Sequence, residues 1–254
     1  MTSPDPAPTA PPQIPGQRAQ GDDDPLQIRF VVPPAFHEIP VLGTEDEVAE
    51  RLWEVVSEVL AGRPEEDRLL WAGMLIPLIP PMADAGVLYS GICLIDVDGR
   101  PSTASVLVSL NPLDGLRYEE AVDTTAAQLA KARPDAEITQ VDLPAGRAAV
   151  MVDHEETPVT GPTADGEDAE LATSVIQVYL PLPNEREMLS LELSTPCAED
   201  WELYSEVFAD IVGSIHVEFA AVEMAAAEPV ADLAGDGSEG GDGDSAARIS
   251  AAFG

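Results

Sequence analysis

The alternation of apolar and polar positions divides the chain into a patterned middle and two unpatterned ends. Gln27–Val32 reads as a first strand, ended by Pro33-Pro34. Thr44-Glu-Asp-Glu47 fits the capping-box pattern, and acidic residues in a first turn suit the helix dipole. Val48, Leu52, Val55, Val56 and Val59 then recur at helical spacing, which predicts an amphipathic helix over 44–61 closed by Gly62. Pro64 opens a second helix. It is acidic at Glu65, Glu66 and Asp67 and apolar from Leu69 to about Ala83, with a kink near Pro77–Pro81.

Val87–Asp96 and Ser102–Leu110 are rich in β-branched and apolar residues and flank Asp98-Gly99, a strong hairpin signal. Both strands are apolar on both faces, which predicts a central place in a sheet. Tyr118–Ala132 reads as a helix stopped before Pro134. Glu137–Leu143 and Arg147–Val152 form a second hairpin around Pro144-Ala-Gly146, and Thr157–Asp168 is a polar loop. Glu170–Leu180 and Met188–Leu193 form a third hairpin. In the last helix Thr195 is the expected N-cap and Pro196 the first helical residue. Trp201, Tyr204, Val207, Phe208, Ile211 and Ile215 share one face of it.

This order predicts an α+β fold: an antiparallel sheet of about six to seven strands with helices packed on its faces, an α/β/α sandwich. Residues 27–221 form one expected domain. Residues 1–26, rich in Pro and Asp, and 222–254, rich in Ala, Gly and acidic residues, bury too little apolar surface to offset the entropy of ordering them. Both are expected to be disordered tails.

Charge narrows the partners. The formal net charge is −35, and the tails do not explain it, because 27–221 alone holds 36 acidic and ten basic residues. Such a surface repels phosphate backbones and anionic lipid heads, which argues against nucleic-acid and membrane partners and allows a basic protein partner. Eleven of the twelve basic residues are Arg, which with the Ala, Val, Asp and Pro usage suggests a GC-rich, actinobacterial genome. Cys93 and Cys197 are too few for a disulfide framework. The start shows no basic or apolar leader region, and Leu69–Ile95 is interrupted by Pro77, Pro80, Pro81 and Gly86, so no spanning helix is expected. A cytoplasmic protein is expected.

The segment Met188-Leu-Ser-Leu-Glu-Leu-Ser-Thr-Pro196, followed by Asp200-Trp-Glu-Leu-Tyr204, Phe208, Ile211-Val212 and Ser214-Ile215, carries a resemblance. It resembles the C-terminal strand–helix of the PsbP-like α/β/α sandwich superfamily, which includes photosystem PsbP proteins, a Ran-binding import factor and actinobacterial LpqN-type lipoproteins. The chain is also similar to actinobacterial proteins with a Gly-Ile-Cys-Leu-type strand, here Gly91–Leu94. The element order matches over 27–219, the motif only over the strand–helix. The chain departs from the lipoprotein branch in lacking a lipobox, and from PsbP in lacking a transit peptide. The resemblance implies a sandwich fold and a non-enzymatic binding or accessory role, with a link to secretion or toxin–immunity systems in the actinobacterial branch. It transfers no active site, because the shared residues serve capping and packing.

Few residues combine into chemistry. Cys197, expected in the first turn of the last helix, stands where a helix dipole favours the thiolate, so it is either a reactive thiol or an inert first-turn residue. Neither His37, His154 nor His216 is near it in sequence. Asp153-His154-Glu155-Glu156 offers metal-type ligands, but adjacent strand residues point to opposite faces, so a solvated strand end is expected. Asp96-Val-Asp-Gly99 lacks the rest of a calcium loop and reads as a turn. Gly240-Gly-Asp-Gly-Asp244 is one imperfect copy of a calcium-binding repeat. No phosphate loop or nucleophile elbow is present, and neither cofactor nor metal is expected. Trp71, Met74, Leu75, Leu78 and Ile79, in the uncharged stretch Leu69–Met82, are either core under the sheet or an exposed partner-docking patch.

Three functions follow from these readings. The first is a non-catalytic cytoplasmic protein that recognises a protein partner. The second is a carrier of a small apolar ligand in a cavity lined by residues such as Trp53, Trp71, Leu88 and Phe208. The third is a cysteine-dependent hydrolase or redox protein using Cys197.

Overall fold

The computed structural model describes residues 26–113, 115–159 and 169–219. The elements run β1 (Leu26–Arg29), β2 (Phe36–Glu38), α1 (Glu45–Val59), α2 (Glu65–Leu75), α3 (Ile79–Asp84), β3 (Val87–Val97) and β4 (Arg100–Pro112). They continue with α4 (Tyr118–Ala132), β5 (Glu137–Leu143), β6 (Gly146–Val159), β7 (Ala169–Pro181), β8 (Glu187–Thr195), α5 (Trp201–Gly213) and β9 (His216–Phe219). The fold is α+β. Seven strands pair antiparallel in the order β2-β3-β4-β8-β7-β6-β5, and β1 and β9 form a separate two-stranded sheet.

Local chemistry sets the joints. The Thr44 hydroxyl accepts from the Glu47 amide while the Glu47 carboxylate accepts from the Thr44 amide, so both halves of the capping box are made. Asp98 and Gly99 both adopt left-handed backbone (φ 55° and 81°). That is the requirement of a two-residue hairpin turn, and the Asp96 carboxylate accepts from the Gly99 amide at 2.8 Å to brace it. The calcium-loop look-alike is therefore a turn.

Register then sorts the side chains by face, since successive strand residues alternate. On one face lie the rungs Gly91–Val106–Leu193–Ile176–Val152 and Tyr89–Val108–Leu191–Val178–Val150. Tyr204, Phe208, Ile211 and Val212 of α5 pack on this face, and all are buried. Leu26 and Val32 join the same core beside the two-stranded sheet. On the other face the helices divide. α1, α2 and α3 cover the β2–β3 end, where Leu52, Val56, Ala72 and Ile79 meet Ile92 and Leu94. α4 crosses β5, β6 and β7. The helices thus lie on both faces.

Several sequence expectations shift. The first strand is shorter than 27–32, includes Leu26, and pairs with β9 instead of the main sheet. Neither β2 nor β9 is visible in the apolar pattern, because three or four residues are too few to show a period. β6 continues to Val159, so part of the expected 157–168 loop is strand; the rest lies outside the described residues, as do the expected tails except Leu26. Among the described residues no helix is long and apolar enough to cross a membrane.

Gly91 leaves no room for a side chain. A Cβ there would run into the Tyr89 ring and hydroxyl, and that ring meets Phe30 edge-on at 5.7 Å. Gly91→Val is expected to displace Tyr89 and cost about 1–3 kcal/mol by overpacking. Urea unfolding checks this, and an unchanged midpoint would contradict the packing.

Candidate functional site

Two places collect the residues singled out by sequence. The first is the end of the molecule built by α1, α2 and α3. α1 buries Leu52 and Val56, and Ile39 and Leu60 close the same small core. α2 gives that core the buried Ala72 and the half-buried Leu75, and α3 gives it Ile79. The Arg68 guanidinium lies 5.7 Å from the centre of the Trp53 ring and holds α2 against α1. The other large apolar side chains of α2 face solvent. Leu70 and Met74 are each 63 % exposed, Leu69 is 56 % and Trp71 36 %. A 3-10 turn over Ile76–Leu78 carries the surface onward, with Ile76 and Leu78 about half exposed.

Of the five residues named from sequence, Trp71, Met74 and Leu78 therefore face solvent. Leu75 is half-buried against the core, and Ile79 is buried in it. Ile79 is thus core rather than docking surface, because α3 turns it toward the cluster that Ile92 also joins. Leu69, Leu70 and Ile76 belong to the exposed patch as well. Their signal was the unbroken run Leu69-Leu-Trp71, which puts apolar groups on more sides of a helix than one small core can cover. Around the patch the charge is one-sided, since residues 45–84 hold ten acidic and three basic side chains.

The second place is the start of α5. β8 ends at Thr195, and a 3-10 turn over Ala198–Asp200 precedes the helix, which begins at Trp201. Thr195 is no helix N-cap: its hydroxyl donates to the Thr103 carbonyl at 2.7 Å and accepts from the Cys197 amide at 3.0 Å. Cys197 and Pro196 stand in the link, so the thiol lies outside the first turn of α5. The histidines have other partners. His154 Nδ1 lies 2.9 Å from the Ser174 hydroxyl, His37 faces Glu58, and His216 faces Glu218. Among the described residues none of them hydrogen-bonds Cys197.

A buried polar chain runs beneath this link. Asp200 accepts from Arg100 at 2.8 Å and from the Ser102 hydroxyl. Ser102 has one proton and spends it on Asp200, so the Tyr204 hydroxyl, 2.8 Å away, is the donor to Ser102. Tyr204 in turn lies against the Cys93 thiol. Ser102 and Tyr204 are almost fully buried, and Cys93 is buried too, its thiol pushed up by burial. This polar chain joins the start of β4, next to the β3–β4 turn, to α5.

Elsewhere the ligand-like run 153–156 is split by the sheet. Asp153 and Glu155 share one face, where Arg133 bridges them, while His154 stands on the other against the edge of Trp201. Among the described residues no group of three potential ligands gathers. Gly240–Asp244 lies outside them. Phe208 packs on the sheet face opposite Trp53, so the four residues imagined around an apolar cavity do not surround one. Compared with family models and with curated proteins, the chain finds no match.

The hydrogen bond from Arg100, and after it that from Ser102, holds the Asp200 carboxyl below the usual carboxylate range, against an opposing effect of burial. A carboxyl lowered by folding stabilises the fold above its unfolded value, near pH 4, and that contribution disappears as pH falls through the folded value. Asp200→Asn is therefore expected to lower the urea midpoint by the same amount from about pH 7 to 5, with the gap closing below about pH 4. A gap that widens in acid would contradict this assignment.

Proposed function

We propose that this chain is a non-catalytic binding protein that recognises a protein partner through the α2 face and the turn that follows it. The observation that carries the reading is that Leu69, Leu70, Trp71, Met74, Ile76 and Leu78, six large apolar side chains within one short stretch, all face solvent. Single exposed leucines are ordinary on protein surfaces, whereas a contiguous apolar patch rimmed by charge marks a contact site. Leu70 and Met74 are one helical turn apart, the spacing at which a helix presents anchors to an amphipathic segment.

Charge selects among partners. The acidic surround favours a segment with basic residues flanking its apolar stripe, and the same field repels nucleic acid and anionic membranes. Long-range attraction raises the encounter rate, and burial of the Leu and Met side chains supplies affinity. The resemblance of the β8–α5 region to PsbP-like proteins supports a binding or accessory role, and the actinobacterial branch suggests secretion or toxin–immunity systems as its setting. Two unpaired cysteines, one of them buried, accord with a cytoplasmic place of action.

The test uses a short amphipathic Leu/Lys peptide and its Leu/Glu counterpart, read by tryptophan fluorescence. The Leu/Lys peptide is expected to bind saturably at physiological salt and the Leu/Glu peptide not at all. Leu70→Ser with Met74→Ser keeps the charge and is expected to change stability by less than about 0.5 kcal/mol each, while weakening peptide binding at least roughly tenfold. Equal binding by both proteins would leave charge alone as the cause and end the docking reading.

A further inference from the structure

Little holds α2 to the molecule. Of its residues only Ala72 is buried, and Asp67, Arg68 and Leu75 are half-buried; the others face solvent. Its ends are poorly supported too. α1 has a complete capping box, whereas Pro64 at the N-cap of α2 makes no side-chain hydrogen bond and no basic residue stands in the last turn. The acidic first turn, Glu65, Glu66 and Asp67, is the one local aid. Gly73, exposed in the body of the helix, weakens it relative to alanine.

The seam between α1 and α2 is also imperfect. Among the described residues two buried side-chain polar atoms lack a hydrogen-bond partner, the Ser57 hydroxyl and Arg68 Nε. Ser57 stands one helical turn after Trp53 on the same side of α1, and Arg68 of α2 lies over Trp53. Both orphans therefore neighbour the ring where the two helices meet. Closing α2 takes Arg68 Nε out of water without replacing its hydrogen bond, a cost that opening relieves. The flanks suit a hinge. Gly62 precedes α2 in open space, and beyond the 3-10 turn the buried Ile79 anchors the chain again.

We infer that α2 is a flap that detaches from α1 and unfolds as one unit while α1, α3 and the sheet stay folded. A segment that buries few apolar groups opens at a smaller cost than the core. A helix this short is marginal by itself in water, so once detached it does not stay helical. Opening uncovers Trp53 and returns the Arg68 guanidinium to water. It also dissolves the α2 face, because Leu70 and Met74 lie on one side only while the helix is formed. The flap is a property of the free protein and does not depend on the docking reading.

Native-state amide hydrogen exchange of the full chain, read residue by residue by NMR with no peptide added, tests this. Corrected for intrinsic rates, the amides of residues 69–76 are expected to share one level of protection and to exchange at least roughly a hundredfold faster than those of β8 and α5. Gly73→Ala adds a methyl group that meets nothing within 4 Å. It is expected to slow exchange across α2 about fivefold and to leave α5 unchanged. Trp53→Leu removes the ring under Arg68 and is expected to quicken exchange across α2 roughly threefold, again without effect on α5. The inference is overturned if α2 is as protected as α5, or if it shows no protection at all. It is equally overturned if Gly73→Ala slows α2 and α5 by the same factor, or if either variant leaves α2 exchange unchanged.

Discussion

Everything in this molecule leans on one packed interface: the aliphatic rungs of β4, β8 and β7 against the apolar side of α5. Val106, Val108, Leu189, Leu191, Leu193, Ile176, Val178 and Leu180 are fully buried there, as is Phe208 from the helix. Burying a large aliphatic or aromatic side chain contributes about 1.5–3 kcal/mol each, so these nine positions are a major source of stability. The same strands carry serines, Gln177 and Glu192 on their other side. A helix laid across those groups would gain little and would have to desolvate them. That asymmetry explains why helices on the second face gather at its two ends and leave a polar strip with a groove between them.

The division has a consequence at the β2 end. β2 has three residues, so the sheet is narrow where α1, α2 and α3 must pack. Leu52, Val56 and Ile79 use the available strand surface, and α2 is left as an outer layer with only Ala72 buried. The exposed patch is therefore not a loose end of the fold. It results from an apolar helix placed where the sheet has run out, and Arg68 stacked on Trp53 keeps it in place. A protein that needed only stability would carry polar residues at 69, 70 and 74, since exposed leucines there stabilise nothing within the chain.

Most of the fold was legible in the sequence, and the reasons for the misses are physical. The Thr44–Glu47 box, the Asp98-Gly99 turn and the Tyr118–Ala132 helix are local devices whose chemistry does not wait for tertiary context. β2 and β9 are defined by their strand pairing, which no stretch of three or four residues reveals. At Thr195-Pro-Cys197 the residues of a helix start are present, but the Thr103 carbonyl competes for the threonine hydroxyl and the helix begins later. Leu69–Ile79 was open between core and surface because hydrophobicity reports a preference for burial, not whether a partner surface exists. The groove beside α4 left no motif at all: it joins Asn111, Thr125, Tyr179 and Met188 from four elements, and only the register brings them together.

The acidic charge bears on the α2 face through its distance dependence. At physiological salt a charge on the surface is felt over about 8 Å, so the acidic side chains around α2 act on whatever approaches that face. A basic segment approaching that face would be drawn in and a second copy of this acidic chain pushed away. The groove between α4 and the sheet is lined, among the described residues, by uncharged side chains. Changing surface acids should therefore disturb the steering at the α2 face and leave the packing of Tyr179 and Met188 under α4 in place, because those contacts do not draw on the field.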